Sequence, residues 1–121
     1  MIINLTGETV RVYGPDAPDV IADDALDTRC TVFAAEVPPA YINLDVLRAG
    51  PRTFHGGRPV QTYLVRHIVC DLPASRLDTY LLVDAAVGLA SRGRSDLLIG
   101  FDSVHDAAGA LVGYRHLVSP C

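Results

Sequence analysis

An α+β fold that is mostly β, a twisted or partly closed antiparallel sheet of short strands with one short helix near residues 84–92, follows from three features of this 121-residue chain. Short β-branched and aromatic runs recur between glycine and proline punctuation along most of its length. The run Tyr41-Ile42-Asn43-Leu44-Asp45-Val46-Leu47 alternates strictly, placing Ile42, Leu44 and Val46 on one face, which is the period of a strand. Only one segment, Ala85 to Ala90, gives up that pattern for small residues that suit a helix. The length predicts one domain over 1–121, enough to bury roughly two-thirds of the unfolded surface without staples.

Taken in order, Ile2 to Thr6 and Thr9 to Tyr13 read as two strands around Gly7-Glu8, spaced for a tight hairpin. Gly14-Pro15 and Pro18 force a loop, followed by a brief edge strand at Asp19 to Ala22 and an acidic pair, Asp23-Asp24, that reads as solvated surface. Cys30 to Ala35 is a strand stopped by Pro38-Pro39. The alternating run from Tyr41 approaches Gly56-Gly57, a two-residue turn demanding positive φ, and Val60 to Val69 returns as the second arm of a hairpin. The stretch from Asp78 to Pro120 organises the core. In it Thr79 to Val83 feeds the helix, which ends near Gly93, Asp96 to Phe101 forms a second buried strand, and Val104 to Val118 closes as a hairpin. Its turn has Asp106 at the first position and Gly109 where a left-handed residue is wanted. If Thr79 to Val83 and Leu97 to Phe101 lie parallel, the link from Asp84 to Asp96 is barely long enough for the crossover.

Composition excludes several functions. All ten basic residues are arginine, so lysine chemistry of every kind, from Schiff bases to phosphate loops, is absent. A net charge of −4 with arginines spread from Arg11 to Arg115 does not make a concentrated basic face, and no nucleic-acid partner is expected. No apolar run approaches a membrane span, and the first residues carry no signal-peptide pattern. Cys30, Cys70 and Cys121 are odd in number and widely spaced, arguing against a disulfide framework or zinc knuckle and for a reducing, cytoplasmic location. No cofactor and no metal site are expected.

Short pieces along the chain carry a resemblance: Asn4-Leu5-Thr6 with Val10, Val12 and Tyr13, then Gly57-Arg58-Pro59-Val60, Leu72-Pro73, the step from Tyr80 to Val87, Arg94-Ser95-Asp96-Leu97, and Asp106 through Gly109 to Gly113-Tyr114-Arg115. In these the chain is similar to a group of small uncharacterised bacterial and phage proteins that open with Asn-Leu-Thr-Pro-His and a valine-rich strand. This chain has Gly7-Glu8 where the group has Pro-His, and Asp84 where it commonly has Ser. The group has no established activity, so the resemblance implies a compact, phage-related accessory protein and assigns no site.

Two clusters invite chemistry. Asp84, Asp102 and His105, with Ser103 and Asp106 beside them, would meet at one sheet edge if the two central strands run parallel, the place where open sheets bind ligands. Two carboxylates and a histidine there would share acid–base work or hold a divalent cation. The plainer alternative makes Asp84 a helix N-cap, and Asp102 and Asp106 turn residues. Arg92, Arg94 and Arg115 offer guanidinium forks for a carboxylate or phosphate, or else serve the helix dipole and solubility. His67 and Cys70, three apart on a strand, face opposite sides and cannot act together. The expectation is therefore a small binding or interaction module for a protein partner or small anionic ligand, able to form a homodimer through an exposed edge strand. The alternative is a small hydrolase or lyase built on Asp84, Asp102 and His105, with or without a metal.

Overall fold

Six strands curl into a nearly closed, barrel-like mixed sheet, and a seventh lies against its flank. The computed structural model describes residues 1–36, 38–91 and 93–120. The strands are β1 (Ile2–Asn4), β2 (Val10–Val12), β3 (Val20–Ile21), β4 (Thr31–Phe33), β5 (Tyr41–His55), β6 (Arg58–Cys70), β7 (Tyr80–Leu82), β8 (Leu97–Asp106) and β9 (Leu111–Val118), with one helix, α1 (Ala85–Ala90). The barrel runs β1-β7-β8-β9-β2-β4, and β3 adds to β8. An Asn4 to Ala35 bridge, with Glu36 N–H donating to the Asn4 carbonyl at 2.8 Å, brings the two ends of that path together.

The expected antiparallel sheet is corrected to a mixed one. β1 with β7, β7 with β8, β2 with β9 and β3 with β8 are all parallel, while β8 with β9 and β2 with β4 are antiparallel. For β7 and β8 the physical reason lies in α1, and the other parallel pairs join strands far apart in the chain. The helix carries the chain back over the sheet so that Leu81 registers with Leu97 and Leu82 with Leu98, and a parallel pair needs such a crossover. The short link from Asp84 to Asp96 suffices.

The expected hairpin around Gly7-Glu8 does not form. β1 takes β7 and β2 takes β9 and β4 as partners instead. The Asn4 side chain redirects the chain between them. Its amide donates to the Glu8 and Phe33 carbonyls at 2.7 and 2.8 Å and accepts from the Thr6 N–H and hydroxyl at 2.9 and 2.7 Å. Fully buried, Asn4 thus has every polar position satisfied, as a buried amide must.

The core is built mostly from the central stretch. Leu81, Val83, Val87 and Leu97 cluster with Leu5 and Ala40, while Ile3, Ile42, Val69, Leu72 and Ile99 pack around them. Each fully buried Leu or Val contributes about 1.5–3 kcal/mol by leaving water. Gly100 is required by close approach, since a Cβ there would lie 2.4 Å from the Tyr114 ring that covers it.

β5 and β6 stand apart as a two-stranded sheet of their own. Gly56 and Gly57 close it with φ of 58° and 79°, the positive values that a two-residue turn of this kind demands. At fifteen and thirteen residues the strands make an arm about 45 Å long. Only its base is packed on the barrel, through Ile42 and Val69. The alternation that predicted the strand was right in period, but Leu44 and Val46 lie in the open, 56% and 59% exposed.

Candidate functional site

The residues at the upper end of β7 and β8 do not assemble as the sequence suggested. Asp84 follows β7 and occupies the N-cap position of α1 with extended backbone, yet its carboxylate makes no capping hydrogen bond. It lies at a cleft of about 240 Å³ that is also lined by Thr6, Glu8, Gly100 and Tyr114. Burial, and then the nearby charge of Glu8, push the Asp84 carboxyl up from its ordinary value. Burial, followed by the charges of Asp84 and Glu8, pushes the Tyr114 phenol up as well. Three acidic groups thus share one small cleft, where Glu8 makes ionisation of Asp84 and Tyr114 less favourable.

Asp102 belongs elsewhere. It sits in β8 with φ of 65°, and its carboxylate accepts a hydrogen bond from Arg115 at 2.7 Å. His105 pairs in register with Val20 of β3 and Leu111 of β9, and its backbone N–H donates to the Asp19 carbonyl at 3.0 Å. Asp106 accepts from the Ala108 and Ala110 amides, both at 2.9 Å, as a turn residue should. Among the described residues, no group of three or more His, Cys, Asp or Glu side chains is placed to hold a metal ion.

The two described arginines of the anion fork are both engaged by carboxylates. Arg94 grips Asp96 through two hydrogen bonds of 3.0 and 2.6 Å and reaches the Ser75 hydroxyl. Arg115 bonds Asp102, Asp19 and the Ala17 carbonyl, tying the proline loop to the barrel. An arriving anion would have to displace these partners. Arg92 lies outside the described residues, as does Cys121. Cys30 and Cys70 are free, and burial pushes the Cys30 thiol up, away from the reactive thiolate.

The larger feature is the arm. Its register pairs Tyr41 with Cys70 and His55 with Arg58, and the offsets at Val46/Arg48 and Ala49/Arg52 are bulges in β5. Paired residues share a face. One face therefore holds Ile42, Leu44, Val46, Ala49 and Phe54 of β5 with Pro59, Tyr63, Val65 and Val69 of β6, interrupted by His67 opposite Leu44 and by the Arg52–Gln61 pair, and is continuous at its base with the core. The other carries the Asp45 to Arg66 ion pair at 2.9 Å together with Arg48, His55 and Arg58, among the exposed Tyr41, Val60, Leu64 and Ile68. On the apolar face Phe54 is 69% and Tyr63 58% exposed.

The sequence reading missed Glu8 and Tyr114 as neighbours of Asp84, because no spacing signals contacts made through a barrel. It also missed the exposure of the arm. The available signal was a strand pair longer than any other in the chain. Among the described residues no helix is long and apolar enough to cross a membrane. Comparison with known protein families, with curated proteins and with solved structures found no match.

Proposed function

We propose that this chain is a non-enzymatic interaction module whose working surface is the β5–β6 arm, with the barrel as its rigid base. The observation that carries the reading is the uncovered apolar face from Leu44 to Phe54 and Pro59 to Val65. An isolated two-stranded hairpin is marginal in water, and exposed contiguous apolar area marks a contact surface. The partner class is a protein, since extended apolar faces and strand edges are met by other polypeptides. Affinity capture tests it with the wild type and a V46E/Y63E double variant as baits. A protein, this chain included, should be retained by the wild type and lost with the variant; equal retention, or none, refutes the reading.

A second reading, a small hydrolase or lyase, is favoured by one observation, the raised Asp84 carboxyl in a cleft beside Glu8 and Tyr114. A carboxyl protonated closer to neutrality is suited to donating a proton. In this reading Asp84 acts with Glu8 and Tyr114 beside it, while Asp102 is bonded to Arg115.

A further inference from the structure

Charge divides this molecule as sharply as shape does. Residues 41–70 hold four arginines, Arg48, Arg52, Arg58 and Arg66, against a single carboxylate, Asp45. The arm is thus +3, and the rest of the chain −7 in a total of −4. Asp45 is spent on Arg66 near the base. The uncompensated charge, Arg48, Arg52 and Arg58, lies in the outer half around the Gly56-Gly57 tip.

We propose that a second copy of this chain covers the apolar face of the arm. The two arms pack antiparallel about a two-fold axis near mid-arm, and each arginine-bearing tip rests against the acidic barrel of the other copy. The inference rests on the interaction-module reading and supplies its partner. Three observations support it. The face is self-compatible: Arg52 is its one charged side chain, and a mid-arm axis keeps the two copies of Arg52 apart. The area suffices, since Leu44, Val46, Phe54, Tyr63 and Val65 are 38% to 69% exposed. These five residues alone present roughly 500 Å² per copy, so pairing them removes about 1,000 Å² from water, the lower bound of a specific interface. Finally, a basic tip and an acidic base on one chain complement each other between copies, because the arm packs on its own barrel at its base and not at its tip. Face-to-face packing also converts a two-stranded ribbon into a two-layer sandwich, which can exclude water from both apolar faces.

The test is sedimentation equilibrium of the full chain at about 50 and about 500 mM salt, with circular dichroism as the fold control. Three proteins are compared: wild type, V46E/Y63E on the apolar face, and R48E/R58E, both on the opposite face toward the tip. All substituted side chains lie on the arm beyond its packed base, so each variant should keep the barrel. The wild type should be a dimer that weakens with salt. The face variant should be monomeric. The tip variant should dimerise at least about tenfold more weakly at low salt and lose most of the salt response. A monomeric wild type, a dimer unaffected by V46E/Y63E, or a tip effect that appears only with added oligonucleotide overturns the proposal. Should the wild type be monomeric yet retain a different protein that V46E/Y63E releases, the second copy is ruled out and the interaction reading stands. A monomer that captures nothing ends both.

Discussion

Replacing Asn4 by Ala should open the barrel's seam. The amide makes four hydrogen bonds, two donated to carbonyls of the turn and of β4 and two accepted from Thr6. At a net value of about 0.5–1.5 kcal/mol each, their loss costs about 3 kcal/mol, and more if the freed Phe33 carbonyl stays dry. For a chain of this length that is a fall in Tm of about 10–15 °C. Urea denaturation followed by circular dichroism measures it, with the m-value as a check that only stability has changed. Asn4→Asp sharpens the test, because a carboxylate of the same shape faces two carbonyl oxygens with no proton to offer. Its penalty at neutral pH should match or exceed that of Ala and shrink at low pH, where the protonated acid regains one donor. A loss below about 1 kcal/mol for Asn4→Ala, or no pH response for Asn4→Asp, would refute the view that this side chain latches the barrel.

Three further outcomes are expected. Gly100→Ala should destabilise by about 1–3 kcal/mol through collision with the Tyr114 ring; in a double-mutant cycle with Tyr114→Ala, additive losses in urea denaturation would exclude that collision. Asp96 is held below its ordinary value, first by the hydrogen-bonded Arg94 guanidinium, so its contribution is present above the unfolded carboxylate pKa and lost as pH falls through the folded one. Asp96→Asn should therefore cost about 1 kcal/mol at neutral pH and flatten the acid limb of a stability–pH curve, whereas an unchanged curve would show the pair to be inert. Asp84 has the opposite sign: its raised pKa gives stability that is present below the unfolded value and lost as pH rises through the folded one. Asp84→Asn, which keeps a competent N-cap residue, should raise neutral-pH stability relative to wild type by thermal melts, and a loss there would contradict the cause assigned to the shift.

What the sequence made legible was local. Gly56-Gly57 required a left-handed turn and has one, Asp106 and Gly109 closed the last hairpin as turn chemistry demands, and α1 falls at Ala85–Ala90 within the expected span. The β1–β2 error has the same origin. Two β-rich runs with a plausible turn look alike whether they pair with each other or with strands far along the chain, and alternation carries no record of the partner. The surroundings of the candidate site lie one level higher: Arg115 reaches Asp102 from β9, and Glu8 and Tyr114 flank Asp84, contacts between distant parts of the chain that no local spacing records.

The mixed topology also sets an order of events during synthesis. β1, β2 and β3 pair in parallel with β7, β9 and β8, so Ile2 must wait for Tyr80, Val12 for Tyr114 and Val20 for His105. Such long-range pairings are slow, whereas a hairpin closed by a glycine pair forms within microseconds. On the ribosome the β5–β6 arm is complete while the strands that finish the barrel are still unmade. Its apolar face is then exposed before the barrel exists, so the proposed pairing of copies would have its surface ready on the polysome.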